Sequence, residues 1–370
     1  MDLSRRFLLG AAASTGGVAL ATSRAVAATP AAPPLLGPAP GVARLGLNEN
    51  PYGPAPSAIA AMREALMSGS YYPGPAVQRL TAMIAERHGV TPAHVLVSSG
   101  SGEILNAIAL AYGSTGTMVS TNLFWDAYFR YAEARGVKTV RVPLKADFTH
   151  DFQAMEAAIT PQTALISVCN PNNPTGILED TAAIHAFASA ASKKTFVLLD
   201  EAYIELTDQP EANSVVDLIK AGNNVAVTRT FSKIYGMAGI RIGYVISTPE
   251  NIAKIGTALM GGMNCVGLAG AVACYNDTPF LTYSRGKITE AREMVQAKVR
   301  ELGLQSLPSV TNFVWVNVGM DANVVRDRMA ARNILIRGTY GPYTNWSRVS
   351  MGKIPDVERY CRALPEVLRA

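Results

Sequence analysis

The feature that most constrains this chain is an alternation. Short apolar, β-branched runs recur at 94–98, 117–120, 139–143, 164–169, 195–199, 224–228 and 240–246. Amphipathic stretches of helical period, such as 102–112 and 125–135, separate most of them. Runs that are apolar throughout suit strands buried on both faces, and their alternation with helices predicts an α/β domain with a mostly parallel central sheet. Ligands of such sheets sit beyond the carboxyl ends of the strands. After about residue 275 the rhythm changes. A long helical pattern (279–302) leads to a strand at 312–318, a helix at 321–332, short strands at 334–337 and 346–350, and a last helix at 355–368. This reads as a smaller α+β domain, with residues 42–70 packing against it. A chain of 370 residues has room for both.

The first residues read differently. Arg5-Arg6 precede an apolar, small-residue stretch that runs to about Ala21, and Ala25-Val26-Ala27 has the spacing of a cleavage site. A basic start, a short apolar core and Ala-x-Ala are the marks of a signal peptide. The paired arginines resemble a twin-arginine export signal, which predicts use of that export machinery and a periplasmic destination. An uncleaved membrane anchor or a chance apolar start is the alternative. Losing residues 1–27 removes three arginines and one aspartate, so the net charge of +5 falls to +3. Residues 28–41 are rich in Pro and Ala and read as an extended linker. The expected order is therefore signal 1–27, linker 28–41, N-terminal segment 42–70, large domain 71–274 and small domain 275–370.

Composition removes other classes. The basic residues are scattered without Lys/Arg runs, so no nucleic-acid footprint is present. Four cysteines lack CxxC spacing and four histidines lack HxxxH, which argues against a zinc site and a disulfide scaffold.

Three segments carry chemistry. Thr230-Phe231-Ser232-Lys233 places one lysine among small and hydroxyl residues just past a strand, with Arg241 eight residues later. A desolvated lysine there loses pKa and can condense with a carbonyl, and the hydroxyls with Arg241 suit a phosphate. A solvated surface lysine is the plain alternative. The apolar run 195–199 ends in Asp200, followed by Tyr203. A carboxylate at that place is poorly solvated and needs a cation, a protonated pyridine nitrogen being one; a helix N-cap is the other reading. Cys169-Asn170-Pro171-Asn172-Asn173-Pro174 is a strand end with a rigid turn, a composition that ordinary turns share.

In this order the segments resemble the fold-type I aminotransferases that use pyridoxal 5′-phosphate, in particular the histidinol-phosphate aminotransferase branch. The resemblance runs from Leu47-Asn48-Glu49-Asn50-Pro51-Tyr52 to Arg348. It implies that Lys233 forms the covalent link to the cofactor and later shuttles a proton, and that Asp200 pairs with the pyridinium nitrogen. It implies that Tyr203 and Asn173 contact the ring's 3′ oxygen, and that Arg241, Ser232 and Thr230 bind the phosphate. Gly100-Ser101-Gly102 corresponds to the family's phosphate-cradling turn, where helix-start N–H groups suit an anion. Trp125 falls where an aromatic stacks on the ring. Tyr72 matches a tyrosine that reaches the neighbouring subunit's cofactor, which implies a homodimer with shared sites. Arg348 matches the arginine that grips the substrate carboxylate, Arg337 aligns with one that holds a substrate phosphate, and Tyr52 lines the entrance or simply packs. Gly102 and Trp125 depart from the family's commoner acidic residue and tyrosine.

The implied activity is amino transfer from an amino acid or related amine to a 2-oxo acid with ping-pong kinetics. The cofactor supplies an electron sink and the protein tunes it. A phospho-amino-acid decarboxylase on the same scaffold, or a non-catalytic protein that binds the cofactor, is the alternative.

Overall fold

The computed structural model describes residues 34–369; the signal segment 1–27 and the first part of the linker lie outside the described residues. The strands, in chain order, are β1 (Ala43–Arg44), β2 (Val95–Ser98), β3 (Thr117–Thr121), β4 (Thr139–Val142), β5 (Thr163–Cys169), β6 (Phe196–Asp200), β7 (Val225–Thr230) and β8 (Gly243–Ser247). The C-terminal part adds β9 (Gln305–Ser306), β10 (Phe313–Asn317), β11 (Ile334–Leu335) and β12 (Trp346–Ser350).

Seven strands form one sheet in the order β2-β8-β7-β6-β5-β3-β4. The pairs from β4 through β7 are parallel, and β8 is antiparallel to both β7 and β2. Six strands therefore point one way and β8 runs back, so the sheet is mostly parallel, as the alternation predicts. The reason is visible in β6, where every residue is buried. Phe196 and Leu198 enter the apolar cluster on one face, and Val197 and Leu199 enter the cluster on the other. The two-residue period of a strand then sends Asp200 to the first face and Glu201 to the second.

On that second face lies a buried charge cluster. The fully buried Arg229 donates from Nε to Glu201 Oε2 at 3.1 Å and from Nη1 to Glu211 Oε1 at 3.1 Å. Glu201 also accepts from Ser214 Oγ at 2.9 Å and from the Val215 N–H at 3.2 Å. Removing one partner of such a cluster strands the other charge in a low dielectric. Arg229→Leu is expected to cost about 3–5 kcal/mol of stability, read as a lowered urea midpoint at unchanged slope.

The C-terminal strands form a small antiparallel sheet, β12-β10-β9, and β1 pairs in parallel with β11. Residues after β1 continue along this edge, where Leu45 O accepts from the Ser350 N–H at 2.7 Å. The helix Pro56–Ala65 instead packs on the helix Cys265–Cys274. Their close approach is set by Gly270, where a Cβ would come within 2.9 Å of Met62 Cγ. All four cysteines are free.

Some boundaries differ from the sequence reading. The helix expected at 125–135 is only Ala127–Glu133, because Trp125 and Asp126 belong to the loop that enters the site. The strand expected from 240 begins at Gly243, because Arg241 has a left-handed backbone, φ 65°.

Candidate active site

The carboxyl ends of β2, β5, β6 and β7 meet the start of β8 at one edge of the sheet. Two adjoining cavities lie there, an inner one of about 170 Å³ and an outer one of about 460 Å³. Trp125, Tyr203 and Lys233 line both.

Asp200 forms the floor of the inner cavity. It is 4% exposed, and its Oδ1 accepts from Thr228 Oγ1 at 3.1 Å. Burial pushes its carboxyl up to about 6, against the pull of the Thr228 and Ala202 hydrogen bonds and of the Lys233 charge. A carboxylate held this way lacks a full counter-charge and suits a cationic ring nitrogen.

One end of the cavity is built for an anion. Arg241 Nη1 donates to Ser232 Oγ at 3.2 Å, and Thr230 Oγ1 lies 2.9 Å from the same oxygen. Beside them the helix Ser101–Gly113 begins, preceded by Gly100 at φ 88°. A Cβ at Gly100 would fall on the Arg241 guanidinium, and one at Gly243 would fall on the Ser101 backbone nitrogen. Only glycine lets the cation, the turn and the helix start come this close. A guanidinium, hydroxyls and free helix-start N–H groups fit a phosphate.

Trp125, 41% exposed, forms a wall, with its ring edge 3.8 Å from where a Gly102 Cβ would be. Tyr203, which lines both cavities, accepts at its hydroxyl from Nδ2 of Asn173 in the outer one at 3.1 Å.

Lys233 enters between the two cavities. Its Nζ donates to Asn48 O at 3.1 Å and lies 5.2 Å from the Tyr203 ring centroid. Burial, and next the Arg348 charge, lowers its ammonium to about 8 although Asp200 acts the other way. A sizeable neutral fraction near neutral pH is what a nucleophilic amine needs.

The outer cavity is cationic. Arg348, on β12, is buried; its Nη1 donates to Asn173 Oδ1 at 2.7 Å and its Nη2 to Gly46 O at 2.8 Å. Its Nε has no hydrogen-bond partner among the described residues. Arg337 is held beside it by backbone bonds in both directions, 3.0 and 3.2 Å, and lies 5.4 Å from the Tyr340 ring centroid.

The structure thus gathers Gly100, Ser101, Gly102, Trp125, Asn173, Asp200, Tyr203, Thr230, Ser232, Lys233, Arg241, Arg337 and Arg348 around one place. Two expected residues stand apart. Tyr52 lines neither cavity; its hydroxyl accepts from the Ile354 N–H at 2.9 Å and its ring meets Tyr283 edge-on. Tyr72 is 97% exposed and touches neither cavity of its own chain. The sequence reading passed over Asn48, Gly46, Arg130 and Tyr340, which line the outer cavity. Asn48 lies in a quoted motif, but its partners are remote in sequence and leave no local signal.

Comparison with known proteins agrees with this geometry. The family "Aminotransferase class I and II" matches residues 40–364. A histidinol-phosphate aminotransferase of Moorella thermoacetica is 34% identical over 331 residues, 88% of this chain and 86% of that protein. A histidinol-phosphate aminotransferase 2 of Pseudomonas fluorescens is 35% identical, covering 88% and 89%. The crystal structure of histidinol-phosphate aminotransferase from Sinorhizobium meliloti in complex with pyridoxal 5′-phosphate superposes with a TM-score of 0.81 at 33% identity, covering 88% of this chain and 91% of that one.

Proposed function

Because the chain belongs to the class I and II aminotransferases, we propose that its site divides the work of a pyridoxal 5′-phosphate-dependent transaminase between the inner and outer cavities. The enzyme moves an amino group from an amino acid or related amine to a 2-oxo acid, in two half-reactions at one site. Pyridoxal 5′-phosphate, when bound, supplies an electron sink for the charge left at the donor's α-carbon.

The chain's own residues then have these tasks. Arg241, Ser232, Thr230 and the Gly100–Gly102 turn hold the phosphate. Asp200 keeps the ring nitrogen protonated from its dry position. Asn173 and Tyr203 bind the ring oxygen, and Trp125 covers the ring face. Lys233 would hold the cofactor through its Nζ and, when that amine is free, would move the proton at the donor's α-carbon. Arg348 would hold the donor's anionic group and so orient its α-carbon toward Lys233; Arg337 would be a second cation for a donor that bears a further anion. The cofactor-binding part, 71–274, carries the inner residues, and the outer cavity draws on all three parts, 42–70 with Gly46 and Asn48, 71–274 with Asn173, and 275–370 with Arg337 and Arg348.

The observation that carries the substrate reading is the buried Arg348 with an unpartnered Nε. A buried guanidinium without a carboxylate partner is costly until an anion binds. Glutamate, aspartate, histidinol phosphate and neutral amines, offered singly to the holoenzyme, are expected to divide by charge. The anionic donors convert the cofactor to its amine form, and neutral amines do so at least about tenfold more slowly. Equal rates for neutral donors, or carbon dioxide release in place of amino transfer, would overturn the reading.

Two further parts of the proposal concern assembly and destination. Tyr72, exposed in the single chain, is suited to complete the site of a second copy in a homodimer. The twin-arginine segment, which precedes the matched region, carries the enzyme to the periplasm already folded, with a task outside cytoplasmic biosynthesis.

A further inference from the structure

The hydroxyl of Tyr203 is approached by two amide groups. Asn173 Nδ2 and Asn48 Nδ2 each lie 3.1 Å from it. The orientation of both amides is fixed from behind. Arg348 Nη1 donates to Asn173 Oδ1 at 2.7 Å, so that amide turns its NH₂ to Tyr203. Ser350 Oγ accepts from the Asn48 N–H at 2.9 Å and donates to Asn48 Oδ1 at 2.7 Å, so this amide does the same. A tyrosine oxygen has two lone pairs and one proton. With two N–H donors on the lone pairs, the remaining proton has only the cavity to point into.

Asn48 is built to stay where it is. It is 2% exposed and has a left-handed backbone, φ 55°, which asparagine tolerates better than most residues. Its carbonyl accepts from both Asn312 Nδ2 at 2.9 Å and Lys233 Nζ at 3.1 Å. One residue therefore touches the tyrosine through its side chain and the lysine through its backbone.

We propose that Asn48 is a positioning residue for amino transfer: its side-chain amide fixes the Tyr203 hydroxyl as a donor aimed at the cofactor's ring oxygen. This rests on the reading that Tyr203 faces that oxygen. A donor there favours the state in which the oxygen carries more unshared negative charge, the deprotonated state of the bound chromophore. Loss of the donor raises the pH at which the chromophore loses its proton.

The test is a pH titration of the visible absorption of holoenzyme, with kcat and KM measured beside it. Asn48→Gly keeps the backbone carbonyl and accepts the positive φ, so it removes only the amide. Its titration midpoint is expected to rise by about one pH unit and its kcat to fall about tenfold, with KM little changed. Asn48→Asp keeps the shape but replaces the donor with an acceptor that draws the Tyr203 proton, and a larger rise is expected. Tyr203→Phe is the reference and raises the midpoint furthest. If Tyr203→Phe shifts the midpoint and Asn48→Gly does not, the role of Asn48 is wrong, whatever happens to KM. If neither shifts it, the placement of Tyr203 against the ring oxygen is wrong and the proposal goes with it.

Discussion

Replacing Lys233 with alanine is expected to lower kcat by about 10⁴-fold or more, while the protein still takes up pyridoxal 5′-phosphate without a covalent bond. The loss is large because one amine has two tasks, bond formation with the cofactor and proton transfer. The phosphate end of the cavity needs neither, since its groups are the Arg241 guanidinium, the Ser232 hydroxyl and the helix start at Ser101, none of which the substitution removes. Borohydride treatment followed by peptide mapping checks the first task, and a single-turnover half-reaction checks the second. Normal turnover in Lys233→Ala, or a trapped adduct on another side chain, would refute the assignment. The lowered ammonium, about 8, adds a sign. The neutral amine is the reactive form, so the rate at which the apoprotein forms its covalent link increases as pH rises through about 8.

Asp200→Ala is expected to lower kcat by about a thousandfold. Losing the partner of a buried charge costs about 3–5 kcal/mol, and each 1.4 kcal/mol is tenfold in rate. Stability should behave differently. Before a cofactor arrives, Asp200 is a buried carboxylate whose proton affinity burial has raised to about 6, which means that the fold tolerates its charge rather than gaining from it. Apoprotein of Asp200→Ala therefore melts no lower than the parent, whereas holoprotein loses most of its cofactor-dependent gain in melting temperature. A variant that is equally destabilised in both states would reduce Asp200 to a packing role. The pH dependence has a definite direction: as pH falls through about 6 the carboxylate of the apoprotein is protonated, and cofactor affinity falls with it.

The sequence was legible wherever the cause is local. Strands buried on both faces leave unbroken apolar runs, so β5 and β6 could be placed within a residue or two. Asp200 was visible because a carboxylate ending such a run has few structural uses. Lys233 and Arg241 stood out among small and hydroxyl neighbours. Other features have causes that a linear reading does not contain. The helix Cys265–Cys274 is apolar almost all round and buried in part by the helix Pro56–Ala65, so it shows little helical stripe. The late start of β8 depends on the left-handed backbone of Arg241, whose guanidinium lies over Gly100, a distant part of the chain. Tyr52 was ambiguous because an aromatic hydroxyl reads alike at an entrance or at a helix start, and here it meets the N–H of Ile354. Asn48 was invisible as a site residue because its partners, Tyr203 and Ser350, are 155 and 302 positions away.

Those long spans govern when the enzyme can come into being. Gly46 and Asn48 are tied to Arg348 and Ser350, each across 302 positions, so the segment that follows β1 waits beside an unfinished site until β12, the last strand among the described residues, has been made. A nascent chain holds the phosphate-binding turn long before it holds the guanidinium that greets the donor. The groups for the phosphate and the group for the donor are thus made far apart in time, and a chain cut short of β12 lacks both Arg348 and the Ser350 that holds Asn48.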